Sequence, residues 1–147
     1  MRLKVSGMNL NFFIIKQLPI IPPNSLSDRS KSFIVERVAK LTRCDKAVAD
    51  VWLKETNCSP VWNDEERLQL RCELDAHVAQ LYGLTRDELE FVLDPSESKS
   101  PDYPSVTFPG LKNKELKRYG EFRTRRLVLE AFDKLEKYGL EGFESVK

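Results

Sequence analysis

The apolar positions of this chain change period as it runs from its N-terminus. Leu10 to Ile20, LNFFIIKQLPI, is dense in β-branched and aromatic residues and meets Pro19. Such a run reads as a strand of about six residues. LPIIPPN then brings consecutive prolines, which suit neither a helix interior nor a strand ladder and predict an extended linker. From Ser27 the spacing becomes helical. SLSDRSKSFIVERVAKLTR offers Ser27 or Asp28 as N-cap, then Phe33, Ile34, Val38 and Leu41 on one stripe. A shorter helix is expected at Ala47 to Lys54, with Val48, Val51 and Trp52 as its apolar side.

The strongest helical pattern is NDEERLQLRCELDAHVAQLYG. Asn63 is the cap, Glu66 three residues on suggests a capping box, and Asp64, Glu65 and Glu66 suit the positive end of the helix dipole. Leu70, Leu74, Val78 and Leu81 recur at helical spacing, with Leu68, Cys72 and Ala79 widening the stripe. Gly83 supplies a left-handed stop. LTRDELEFVLDP repeats the logic: Thr85 and Glu88 form a box, Leu89, Val92 and Leu93 face inward, and Pro95 ends the run. Asp94 to Gly110 carries four prolines and no helical period, which predicts a long loop. A last helix is expected from Phe122 to Tyr138, with Leu127, Val128, Ala131, Phe132 and Leu135 inward and Gly139 as its stop.

The pattern predicts a mainly α protein. It is a small helical domain of four or five helices, with one short N-terminal strand and a long proline-rich loop. Residues 1–24 form the strand and proline linker and residues 25–147 the helical domain, within a single domain overall. The strand has no evident partner in the chain. An unpaired strand exposes its backbone groups, so it is expected to pair in a dimer or to belong to a sheet of a larger protein.

Composition adds little until charge is divided along the chain. The 147 residues suffice for one core, and the net charge is +1. Residues 1–43 carry +6, residues 44–111 carry −8, and residues 112–147 carry +3. Such a chain can show a positive face despite near-neutrality. No apolar run approaches the roughly 20 residues that span a bilayer, and the N-terminal patch, interrupted by Asn9 and Asn11, does not read as a signal peptide. No membrane partner is expected. The three cysteines, Cys44, Cys58 and Cys72, form no close pairs. Reduced thiols and a cytoplasmic setting follow. A zinc site with His77 as fourth ligand lacks the usual ligand spacing, and small buried cysteines are the better reading.

Two patterns carry candidate chemistry. Pro101–Asp102 followed by Glu115-Leu116-Lys117 matches the P-D, E-x-K signature of metal-dependent nucleases, where two carboxylates hold a cation and a lysine sits near the attacking water. The pattern is short and degenerate, and here the aspartate falls in a proline-rich loop rather than on a strand. His77, the lone histidine, sits at the edge of an apolar stripe, where packing is the commoner role. No glycine-rich phosphate loop is present, so no dinucleotide, ATP or S-adenosylmethionine pocket of the usual kind is expected. The second pattern is KNKELKRYGEFRTRR, residues 112–126, with seven Lys or Arg against Glu115 and Glu121. Arginines at a helix start oppose the dipole, so Arg123, Arg125 and Arg126 call for a negative partner. Phosphates would serve, and so would the acidic middle of the chain.

LNFFIIKQLPIIPP, RCELDAHVAQLYGLTRDELEFVLDP and LKNKELKRYGEFRTRRLVLEAFDKL, in this order, resemble the C-terminal end of large adenine-N6 DNA methyltransferases. These are the fused restriction–modification enzymes of type II, subtypes G and L, and related phage-defence methylases. The resemblance covers nearly the whole chain. It implies a non-catalytic, DNA-associated module, a fragment of a larger enzyme, touching the phosphates of double-stranded DNA through Lys117, Arg118, Arg123, Arg125 and Arg126. The family's Asn-Pro-Pro-aromatic motif and its cofactor glycines are absent, so S-adenosylmethionine is expected in the parent enzyme and no cofactor in this chain. The implied partners are DNA and the remainder of that polypeptide. The rival expectations are a purely structural packing module and, behind it, a small nuclease using Asp102, Glu115 and Lys117.

Overall fold

The computed structural model describes residues 19–42, 50, 53–54, 56–95, 107–143 and 145. Among these, five α-helices are defined: α1 (Asp28–Leu41), α2 (Asp64–Leu81), α3 (Arg86–Leu93), α4 (Pro109–Tyr119) and α5 (Arg123–Phe143). A 3-10 turn, Pro23–Ser25, precedes α1. Leu53 and Lys54 are helical, within the helix expected at Ala47 to Lys54. The strand expected within Leu10 to Ile20 lies outside the described residues apart from Pro19 and Ile20, which have no regular secondary structure. Most of the proline-rich loop, with Asp102, also lies outside them.

Local chemistry sets the helix boundaries. The Ser27 side chain accepts from the Ser30 N–H at 3.1 Å, which settles the cap of α1. Asn63 accepts from the Glu65 and Glu66 N–H groups at 2.9 and 3.1 Å. No reciprocal bond from Glu66 closes a box there among the described residues, so Asn63 caps α2 alone. The reciprocal box forms at Thr85 and Glu88. Gly83, at φ 71°, ends α2 with bonds from its own N–H to Gln80 O and from Leu84 N–H to Ala79 O, the two bonds of a Schellman motif.

The core is the face shared by α2 and α5. These two helices pack along each other; α1 lies mainly on α2, α3 on α5, and α4 packs against α5. Cys72, Ala76 and Ala79 of α2 meet Val128, Ala131, Phe132 and Leu135 of α5, with Phe33, Leu89, Leu93 and Phe143 closing the sides. Small residues on α2 let the backbones approach closely. The buried stripes are shifted from those expected. Val38, Val78 and Val92 are exposed, and Arg37, Arg67, Glu73 and His77 are buried.

Charged groups enter this core because each is satisfied. Arg37 of α1 donates from Nε to Glu73 Oε2 of α2 at 2.7 Å, and both side chains are 2% exposed. Its guanidinium lies 3.3 Å from the Phe33 ring centroid, and Gln69 donates to the other Glu73 oxygen at 3.3 Å. Arg67 donates to the Val61 and Leu41 carbonyls at 2.8 and 2.7 Å, anchoring both ends of the α1–α2 connection. Unpaired charges would be expelled from such a core; paired and hydrogen-bonded ones are tolerated.

Gly139 does not stop the last helix. Its φ of 63° and ψ of −178° break α5 internally, and the chain resumes helically to Phe143. The break turns Phe143 back onto Phe33, with ring centroids 5.7 Å apart at 75°. No helix among the described residues is long and apolar enough to cross a membrane.

Candidate nucleic-acid interface

The basic run folds as two helices rather than one. Pro109 occupies the first turn of α4, where a missing N–H costs nothing. Gly120, at φ 77°, ends α4 in the left-handed conformation that favours glycine. It is the joint between Lys117–Arg118 in the last turn of α4 and Arg123 at the start of α5. The two cations of α4 sit where the negative end of its dipole favours them.

On α4, Lys114, Lys117 and Arg118 are exposed, and their i, i+3, i+4 spacing puts them on one side of the helix. Lys117 makes no ion pair among the described residues. The Arg118 guanidinium lies 5.1 Å from the Tyr119 ring centroid. Glu115 is 6% exposed and turned the other way, toward α5. Its two oxygens accept from the Thr124 N–H at 2.8 Å and the Thr124 hydroxyl at 2.6 Å. A carboxylate thus stands at the positive end of α5 and offsets the arginines placed there.

The three arginines of α5 point to three different places. Arg123 makes a two-pronged pair with Glu65 of α2, one prong at 3.0 Å. The hydrogen bonds from Arg123 hold the Glu65 carboxyl below its usual range, with the nearby charge of Arg118 acting in the same direction. Arg125, with a side chain 17% exposed, pairs with Glu90 of α3. Arg126 stays local, donating to Glu121 at 3.1 Å from two nitrogens and to Glu130 at 2.8 Å. Both carboxylates push the Arg126 guanidinium up. A groove of about 490 Å³ between α3, α4 and α5 collects Arg86, Lys112, Arg125 and Arg126 against Glu90, Glu121, Glu130 and Asp133. Its charges balance. Lys112 also reaches Asp94 Oδ2 at 2.5 Å, where Asp94 is 1% exposed.

The five residues expected to meet phosphate therefore divide. Lys117 and Arg118 stand on the open side of α4. Arg123 and Arg125 bridge to α2 and α3, both within the acidic middle segment, and Arg126 is held by its own neighbours. Sequence reasoning missed the roles of Glu115 and Arg37. Glu115 carries no local signal of a cap nine residues downstream, and Arg37 interrupts what reads as an apolar stripe.

Of the nuclease pattern, two of the three residues are described. Glu115 is engaged by Thr124, Lys117 two positions on projects elsewhere, and Asp102 lies outside the described residues. Cys58 and Cys72 are free and buried, and Cys44 lies outside the described residues. Burial pushes the Cys72 thiol up to about 12, with Asp75 and Glu115 adding to the effect. Five residues on a helix turn through roughly 140° beyond a full turn, so Cys72 and His77 face different ways. His77 packs edge-on to Phe33 at 5.0 Å. Neither ring nitrogen finds a hydrogen-bond partner among the described residues. Burial pushes its pKa down and the charge of Arg37 adds to this, while the side chain of Gln80 opposes it without closing an acceptable bond. No group of residues suited to a metal ion occurs among the described residues. Comparison with family models, with curated proteins and with solved structures found no match to this chain.

Proposed function

We propose that the chain is a non-catalytic helical module of a larger DNA-modifying polypeptide, and that the arginine-rich start of α5 is its internal clasp. The observation that carries this reading is the pairing of Arg123 with Glu65 and of Arg125 with Glu90. One short segment thereby ties α5 to both α2 and α3. The resemblance noted above points to an adenine-N6 DNA methyltransferase or restriction–modification enzyme as the larger polypeptide, with S-adenosylmethionine bound by that parent.

A second reading, direct contact with double-stranded DNA, is supported by a different observation: the open basic stripe of Lys114, Lys117 and Arg118 on α4. Such contacts would be to phosphates, positioning the module without reading sequence, and would weaken steeply with salt. Two charge-reversed proteins separate the readings. R123E/R125E should lower the thermal midpoint and leave duplex affinity at low salt little changed. K117E/R118E should leave the midpoint in place and abolish any duplex binding. A stable R123E/R125E protein that has lost duplex binding would overturn the clasp.

A further inference from the structure

α4 is attached differently from its neighbours. α2 and α5 meet through apolar side chains, whereas the buried side chain of α4 is a carboxylate, Glu115. The larger apolar residues of α4, Leu111, Leu116 and Tyr119, are 40% to 41% exposed, and Phe108 just before it is 44% exposed. Its start has no side-chain cap and no acidic residue in the first turn. α1, α2 and α3 are each capped by a side chain.

Among the described residues, two polar links tie α4 down. Lys112 reaches Asp94 at the end of α3 at 2.5 Å. Glu115 accepts from the Thr124 N–H and hydroxyl of α5 at 2.8 and 2.6 Å. Beyond both links the chain passes through Gly120, at φ 77°, where the space a Cβ would take is open. A segment with few buried apolar side chains opens at lower free energy than the core it lies on. We propose that α4 is a detachable strap: it lifts about Gly120 as a unit, releasing the Lys112–Asp94 and Glu115–Thr124 links, while α2 and α5 stay packed. Lifting uncovers Phe122 and Leu129, which are buried in the closed form and line one groove with Leu116. The strap also carries Lys114, Lys117 and Arg118, so opening moves the whole basic stripe relative to the core. Opening does not depend on whether that stripe meets phosphate.

Hydrogen exchange of the full chain in its native state tests the strap. A helix of 11 residues is marginal in water on its own, so α4 unwinds once lifted and its amides report the opening. The amides of Glu115 to Gly120 should exchange at least about tenfold faster, relative to their unstructured rates, than those of Ala76 and Phe132 in the core. Their exchange should also respond less to low denaturant. F143A loosens the far end of α5, so it should speed exchange at Ala76 and Phe132 and leave α4 unchanged. E115Q should speed exchange in α4. Equal protection of α4 and the core in the wild-type chain, with equal denaturant response, would overturn the proposal. So would a rise in α4 exchange that matches the core in F143A, or no change in α4 in E115Q. If F143A fails to fold, the wild-type comparison and E115Q decide.

Discussion

Glu115 shows how a single residue can be misread from its neighbours in sequence. Its place in an E-x-K triplet suggests a metal ligand, yet its carboxylate caps α5 through both the backbone and the hydroxyl of Thr124. Removing it leaves the part-buried N–H of Thr124 without that partner. E115A is expected to cost about 1–3 kcal/mol in denaturant unfolding, with E115Q recovering part. His77 makes a pH prediction of definite sign. Its folded-state pKa is lowered from 6.5, so the unfolded chain takes up a proton that the folded chain resists. Stability should therefore fall as pH drops below about 6.5. The carboxylates with lowered pKa values, Glu65, Glu88 and Glu121, lose their contribution only below about 4.5, nearer their own usual range. H77L should flatten the first part of that curve and leave the second. Cys72, buried and pushed up to about 12, should react with iodoacetamide only on unfolding. At this scale the caps were legible, because Ser27, Asn63 and Thr85 act on N–H groups within three residues. Arg37 and Glu73 were not, because the partner of each lies 36 residues away on another helix.

At the scale of elements, glycines decide more than propensity does. Gly120 separates α4 from α5, and Gly139 bends α5 so that Phe143 can return to the core. The φ of 63° and ψ of −178° at Gly139 lie in a region that side chains other than hydrogen scarcely enter. A Cβ there would meet open space, so the penalty for G139A is backbone strain and not a clash. About 1–3 kcal/mol is expected, with the loss shared by F143A because both unseat the same ring. The helices α1, α2, α3 and most of α5 could be read from their period and caps. The separate helix α4 could not, because its apolar content is too thin for a stripe. Its signals are the Pro109 start, which falls in the stretch whose prolines predict a loop, and the Gly120 end. The continuation past Gly139 was hidden because a glycine after a long helix ordinarily ends it.

At the scale of the whole molecule, the alternation of basic, acidic and basic segments becomes a folding instruction. The acidic middle supplies Glu65 and Glu90, and the basic end supplies Arg123 and Arg125. Their meeting closes α5 onto both neighbouring helices. Composition could state this possibility and not choose it over phosphate binding, because both need the same charges and differ only in geometry. The rim pairs Arg29–Glu141 and Arg86–Asp133 are open to solvent and should add little. The central claim rests on the less exposed pair, so the most direct test is a double-mutant cycle on Arg125 and Glu90. R125E and E90R alone should each lower unfolding stability, and the swapped protein E90R/R125E should recover part of the loss. A favourable coupling of about 1 kcal/mol or more is predicted for a pair of this partial burial. Additive losses, with no recovery on swapping, would contradict the clasp.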